Sequence, residues 1–71
     1  MSLVMNNPFH LGDGVAVAAK SAPTIYHADG STTHDFHGIV VEILGDSLVA
    51  IKHDQYQHVR DYNIREVHFA F

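Results

Sequence analysis

Residues 36–54, FHGIVVEILGDSLVAIKHD, are the stretch that decides the fold class of this chain. They form its densest run of apolar and β-branched side chains, and Gly45-Asp46 interrupts the run in its middle. Two such runs separated by turn residues are typical of a β-hairpin. We therefore predict two antiparallel strands here and an all-β fold for the whole chain.

The register of this hairpin follows from the need for one apolar face. A two-residue turn sets Ile39 against Lys52 and mixes apolar with polar side chains. A loop formed by Gly45, Asp46 and Ser47 instead pairs Ile43 with Val49 on a uniformly apolar face. We prefer this odd loop, or a bulge, over the two-residue turn. The predicted inner wall is then Ile39, Val41, Ile43, Val49 and Ile51.

Weaker strand signals lie on both sides of the hairpin. Val15 and Val17 share one face of an extended segment that follows the turn residues Gly12-Asp13-Gly14. Alternation of apolar and polar residues predicts a last strand near the C-terminus. The predicted elements outside the hairpin are strands at residues 15–20, 58–61 and 67–71 and a single 3₁₀ turn at residues 62–64.

Residues 21–35 are polar, rich in turn residues and long for a connection. Loops of this length tend to be functional or to contain structure of their own. The turn residues Asp29 and Gly30 lie between two short candidate arms, residues 24–26 and 31–33. We expect a functional loop or a small hairpin here.

An alternative concerns residues 47–64, where side chains recur at the spacing of an amphipathic helix. These side chains are Leu48, Ile51, Gln55, Val59 and Tyr62. The stripe includes a glutamine, and the segment is rich in His, Val, Asp and Tyr, which are weaker helix formers. We favour strands and keep the helix as the alternative.

Composition excludes several classes of protein. The 71 residues suffice for one small domain with a marginal core. Cysteine is absent, which excludes disulfides and thiolate metal sites and fits a cytoplasmic protein. No apolar run approaches the roughly 20 residues of a membrane span, so no membrane contact is expected. Residues 1–8 are expected to be a disordered or vector-derived leader, and residues 9–71 the single domain.

Charge argues against a general nucleic-acid binder. The net charge is −4 with neutral histidines, and the basic residues are Lys20, Lys52, Arg60 and Arg65. Affinity for nucleic acids rests mainly on Lys and Arg contacts with phosphate. The expected partner is therefore a protein or a second copy of the chain. A small core and an apolar C-terminal strand favour a homo-oligomer.

Two motifs and the element order resemble a known group of folds. The Gly-Asp-x-Val-x-Val opening at residues 12–17 and the later Gly38-x-Val40 resemble the start of SH3-like small barrels, including KOW-type domains. The resemblance implies a five-stranded barrel with a long first loop and a single 3₁₀ turn before the last strand.

A narrower likeness is to the type II dihydrofolate reductases, SH3-like barrels that tetramerise around a pore. It rests on Leu-Gly-Asp-x-Val at residues 11–15 and Val-x-x-Tyr-x-Ile at residues 59–64. The family has Val-Gln-Ile-Tyr in its pore, whereas this chain has Val59-Arg60-Asp61-Tyr62 and lacks the glutamine. The likeness therefore implies architecture and oligomerisation, and reductase activity is not expected.

Histidines are the candidate metal ligands, chiefly His34, His37 and His53. His34 and His37 have the spacing that suits a metal on a helix, but a strand directs them to opposite faces. Zinc sites need three or four convergent ligands. We predict surface histidines, with no metal and no other cofactor.

No catalytic residue is predicted. The nearest approach to an acid–base pair is His53 with Asp54, or His58 with Asp61. Neither pair is accompanied by a nucleophile with an activating partner. Charged strand ends facing solvent are the simpler interpretation.

The tyrosines are the better candidates for function. Tyrosine combines apolar area with a hydroxyl group and is common at interfaces. In SH3-like barrels, aromatic residues of the first loop and the 3₁₀ turn line a groove, and that resemblance implies a binding surface of Tyr26, Tyr56, Tyr62 and Arg60. The alternative is that one or two tyrosines cap the core.

We expect a non-catalytic binding or assembly module; the alternatives are a KOW-like nucleic-acid-binding domain and a small oligomeric enzyme with an interface active site.

Overall fold

The structure, a computed structural model, describes residues 7–70 and consists mainly of β-strands. The strands are β1 (Gly14–Val17), β2 (Thr24–Tyr26), β3 (Thr32–His34), β4 (His37–Leu44), β5 (Leu48–His53), β6 (Val59–Asn63) and β7 (Val67–Phe69). Short 3₁₀ helices lie at Ala19–Ser21 and Ile64–Glu66. The prediction of an all-β fold is confirmed, and strands replace the helix considered for residues 47–64.

Five strands form one antiparallel sheet in the order β6-β5-β4-β1-β7. Within residues 7–70 no strand joins β6 to β7, so the sheet is open where a closed barrel was predicted. β2 and β3 pair with each other in a separate hairpin. The long polar segment therefore contains the small hairpin that its two arms predicted.

The turn between β4 and β5 has the predicted three-residue loop. Ile43 faces Val49 and Leu44 faces Leu48, which leaves Gly45, Asp46 and Ser47 as the loop. Gly45 has a φ of 79°, a left-handed conformation that glycine adopts readily. Ile43 shares the face of Val49 but is 36% exposed, so it is not part of the buried core.

A bulge in β4 then changes which side chains are buried. The register shifts after Val40, which faces Ile51 in the core and is only 1% exposed. Ile39 is 47% exposed and Val41 is 43% exposed. A bulge adds one residue to one strand, and a one-residue shift exchanges the two faces. The predicted inner wall is therefore confirmed for Val49 and Ile51 and wrong for Ile39 and Val41.

The core lies against the inner face of the open sheet. All five strands of the sheet contribute to it, together with Phe9, which lies before β1 and packs on Phe69 with ring centroids 4.8 Å apart. The predicted apolar face of the first strand is confirmed for Val15 and Val17, but the strand ends at Val17, before the 3₁₀ helix Ala19–Ser21, and not at residue 20. Full burial of one such side chain contributes roughly 1.5–3 kcal/mol. The core residues are Phe9, Val15, Val17, Val40, Val49, Ile51, Tyr62 and Val67.

Gly38 lies in close contact with β5, with no room for a side chain. A Cβ atom here would lie 2.6 Å from Cγ2 of Ile51 and 2.6 Å from the backbone oxygen of Lys52. Glycine inside a strand often marks such a contact. The missing side chain lets the two strands meet where Gly38 pairs with His53.

Asn7 ties the segment before β1 to the β4–β5 turn. Its Nδ2 donates to the backbone oxygens of Gly45 at 3.0 Å and Leu48 at 3.2 Å. Asn7 thus contacts the sheet, although we had expected it to belong to the leader. Residues 1–6 of that leader, and Phe71, lie outside the described residues. No helix between residues 7 and 70 is long and apolar enough to cross a membrane.

Candidate functional site

Asp35 fixes the turn between β5 and β6. Its carboxylate is buried, and Oδ2 accepts hydrogen bonds from the backbone N–H groups of Gln55 at 2.5 Å and Tyr56 at 2.8 Å. Oδ1 accepts a longer bond of 3.4 Å from the His37 backbone. Hydrogen bonds to an ionised acceptor are stronger than neutral ones. A side chain from the end of the long polar segment therefore determines the path of a distant turn.

Below this turn, His53 and Tyr62 form a buried polar pair. Nε2 of His53 lies 2.7 Å from the hydroxyl oxygen of Tyr62, and the two side chains are 1% and 5% exposed. Burial lowers the pKa of His53, against the opposing charge of Asp35, and burial raises the pKa of Tyr62. Both groups are consequently uncharged at neutral pH.

Tyr56 and Arg60 form the layer above the buried pair. The guanidinium carbon of Arg60 lies 5.8 Å from the centroid of the Tyr56 ring, within the range of a cation–π contact. The same ring meets His53 edge-on at 6.1 Å and His58 at 5.1 Å between centroids. We call the solvent-facing group of Tyr56, His58 and Arg60 the Tyr56–Arg60 surface.

The charge of Arg60 is not neutralised inside the molecule. Across the part of the chain that the structure describes, no carboxylate lies within ion-pair distance of its guanidinium. Arg60 and His58 are exposed, and Tyr56 is half-buried. The Tyr56–Arg60 surface thus presents a free cation on a fixed aromatic ring.

An open strand edge borders this surface. β6 is the last strand of the sheet, and no strand within residues 7–70 pairs with its outer side. Arg60 faces Ile51 across the β5–β6 pair, and Tyr62 faces Val49, so both side chains lie on the inner side of the sheet. A chain that paired with β6 would run directly beside Arg60.

The four residues predicted as a binding surface occupy three environments. Tyr56 and Arg60 lie together, with the guanidinium over the ring. Tyr62 belongs to the core beneath them, which is the alternative role considered for one or two of the tyrosines. Tyr26 is 80% exposed on β2, in the separate hairpin, and makes no ring contact with the other two among the described residues.

Sequence reasoning missed the role of Asp35 and the contribution of His58. The sequence analysis gave Asp35 no role, although its carboxylate holds a turn that is 20 residues away. A signal was present in the turn itself, since Gln55 and Tyr56 lie in a glycine-free turn whose amides need acceptors. The sequence alone could not show which acidic residue supplies them.

The candidate metal ligands do not converge. His53 is buried, His34 and His37 are exposed, and Nδ1 of His34 lies 3.4 Å from the Thr24 hydroxyl across the small hairpin. Between residues 7 and 70 there is no group of three or more His, Cys, Asp or Glu side chains placed to hold a metal ion.

The site offers a ligand an aromatic ring, a positive charge and a strand edge. These three features suit binding, and the buried carboxylate of Asp35 holds the backbone of Tyr56 in place. Comparison with known protein families, curated proteins and solved structures finds no match. The chemistry of the site is therefore the basis for proposing what it binds.

Proposed function

We propose that this chain is a non-catalytic binding module that takes an extended, acidic segment of a partner protein on the Tyr56–Arg60 surface and the edge of β6. The observation that carries the proposal is the Arg60 guanidinium, 5.8 Å over the Tyr56 ring, beside an open strand edge. A peptide that adds to an edge strand gains main-chain hydrogen bonds, and its side chains contact the neighbouring surface.

Arg60 favours an acidic partner even though the whole chain has a net charge of −4. A guanidinium matches a carboxylate with two parallel hydrogen bonds. His58 adds another polar group beside the Tyr56 ring. Tyrosine and arginine are also the residue types that most often dominate binding energy at interfaces.

Rigidity of the site supports the proposal. Asp35 holds the backbone of Tyr56, and the buried pair of His53 and Tyr62 supports the ring from below. A surface ordered before binding loses less conformational entropy when the partner arrives. Most of the conformational entropy lost on binding is then lost by the partner segment.

The candidate acid–base groups support a non-catalytic role. His53 is buried against Tyr62, whereas the adjacent Asp54 is exposed. Asp61 faces Ala50 and therefore lies on the opposite side of the sheet from Arg60. Within residues 7–70, no ion pair or hydrogen bond joins the side chains of His53 and Asp54 or those of His58 and Asp61.

The architecture that we propose for the module is an SH3-like small barrel. Support comes from the five antiparallel strands, the long segment between β1 and β4, and the 3₁₀ helix Ile64–Glu66 before β7. This element order is the one on which the resemblance was based. The open sheet differs from a closed barrel at the β6 and β7 edges.

We propose in addition that the module works as a homo-oligomer. β7 is the other end strand of the sheet, and no strand among the described residues pairs with its outer side; Phe69 and Leu11 are 47% and 67% exposed. Exposed apolar edges readily pair with another chain. Light scattering at micromolar concentration is expected to give the mass of a dimer or larger species, and a monomer mass would contradict this part of the proposal.

The binding site is tested by selecting peptides from a random library displayed on phage. We expect the full chain to enrich peptides that contain Asp or Glu among β-prone residues. Arg60→Ala and Tyr56→Ala should each weaken capture of a selected peptide about tenfold or more, equivalent to roughly 1.4 kcal/mol. Arg65→Ala, which removes an exposed arginine outside the surface, should leave capture unchanged.

Two results would overturn the proposal. One is equal capture of the selected peptides by the wild type and the Arg60→Ala variant. The other is salt-dependent binding of a single-stranded RNA oligonucleotide that competes with the peptides and exceeds them in affinity, which would favour the KOW-like alternative.

A further inference from the structure

We infer that the opposite, outer face of the sheet holds a second ligand site, a slot for one planar aromatic ring that carries a cationic nitrogen group. The slot is a pocket of about 440 Å³ on the outer side of β1 and β4. That volume falls within the range of small-molecule sites. The inference does not depend on the function proposed for the Tyr56–Arg60 surface.

The strand register places the pocket on the outer face. Gly38 pairs with Val15 and with His53, both of which are buried on the inner side. Successive residues of a strand point to opposite faces. The neighbours of Gly38 on β4, His37 and Ile39, therefore project outward and flank the pocket.

His37 and Ile39 form the two walls of the slot. Two residues apart on one strand, their side chains leave the backbone on the order of 7 Å from each other. A flat ring needs about 3.5 Å on each side for van der Waals contact. This spacing is common to any two such neighbours on a strand, and it admits one ring between the imidazole of His37 and the side chain of Ile39.

Glycines form the floor of the slot. Gly14 faces Ile39 across the β1–β4 pair, and Gly12 lies two residues earlier, in the segment that leads into β1. No side chain rises from these positions, so the edge of a ring can reach the level of the backbone. The sheet is thus locally bare beside two exposed side chains.

Asp54 determines the charge of the ligand. It lines the pocket, and its backbone N–H donates to the His37 oxygen at 3.1 Å, which holds it beside one wall. Within residues 7–70 its carboxylate has no ion-pair partner. An acidic residue in the lining of the pocket favours a ligand group with several N–H donors and a positive charge.

Benzamidine is a suitable probe because its ring fits the slot and its amidinium group offers two N–H donors on one edge. We expect an NMR titration of the full chain to show saturable shifts of the Gly12, Gly14 and Gly38 amides in the millimolar range. Benzoate, which has the same ring and the opposite charge, should not produce them. Asp54→Asn should weaken the binding of benzamidine at least tenfold.

A matched pair of variants tests the wall. Ile39→Ala should weaken benzamidine binding, whereas Val59→Ala should not, although both residues are exposed on the outer face on either side of Lys52. Shifts that do not saturate, equal shifts with benzoate, or unchanged binding by the Asp54→Asn variant would each overturn the inference. Should Ile39→Ala fail to fold, the benzoate comparison and Asp54→Asn decide the result.

Discussion

Nε2 of His53 lies 2.7 Å from the hydroxyl oxygen of Tyr62 in the interior of the sheet. The other ring nitrogen of His53, Nδ1, is buried without a hydrogen-bond partner among the described residues. A charged imidazole in this position would lose its hydration without gaining a counter-ion in contact. The stability of the fold is therefore linked to the neutral form of His53.

The free energy of unfolding is expected to fall as the pH drops below about 6.5. Burial lowers the pKa of His53 in the folded state below its ordinary value of 6.5. The unfolded chain then binds a proton first, so the stability is fully present above the ordinary value and is lost as the pH falls toward the folded pKa. Urea denaturation at several pH values measures this slope.

His53→Gln should flatten that pH dependence, whereas His68→Gln, a change at an exposed histidine, should preserve it. An unchanged slope in the His53→Gln variant would show that another group is responsible.

Tyr62→Phe is expected to destabilise the fold by about 1–3 kcal/mol. The change leaves the ring in place but removes the hydroxyl group that pairs with His53, and an unsatisfied buried polar atom carries a desolvation penalty of this size. Tyr26→Phe removes an exposed hydroxyl and should change stability by less than about 0.5 kcal/mol. Equal effects of the two changes in chemical denaturation would contradict the buried pair.

Asp35→Asn should destabilise the fold by roughly 1.5–3 kcal/mol and loosen the β5–β6 turn. The carboxylate accepts bonds from Gln55 and Tyr56, and bonds to a charged group contribute the most. Hydrogen exchange at these two amides should accelerate before exchange in β5 does. Asp61→Asn, on the exposed outer face, is the control and should leave the turn amides protected.

Gly38→Ala should impair folding more than a typical surface change. The added methyl group would lie 2.6 Å from the Lys52 backbone oxygen, which cannot move without separating β4 from β5. Overpacking of this kind costs about 1–3 kcal/mol or more. A variant that melts at the wild-type temperature would show that the strands are farther apart than the structure has them.

Local patterns predicted the strands well, because each strand signal lies within a few residues. A bulge was among the predicted ways to correct the register, but its position was not predicted, since Ile39, Val40 and Val41 are all β-branched and a continuous apolar run does not show which side chain is buried. The different roles of the tyrosines could not be predicted for a related reason. Tyr62 is buried because it faces Val49 across β5 and β6, whereas Tyr56 lies in a turn.

Contacts between segments that are distant in the sequence limit how much of the site can be predicted from the sequence. Arg60 and Tyr56 are close in the sequence, so their common surface was predictable from the sequence. Asp35 reaches its turn only after the sheet has formed, and a single sequence does not reveal such a pairing. The same holds for the outer slot, because its walls belong to β4 and its floor to β1.

The most direct test of the proposed binding site is an amide chemical-shift map of the full chain with a selected acidic peptide. We expect the largest shifts along β6, residues Val59–Asn63, and at Tyr56, and their loss in the Arg60→Ala variant. Shifts confined to the Tyr26 hairpin or to the outer face, or an unchanged map for Arg60→Ala, would contradict the proposed site.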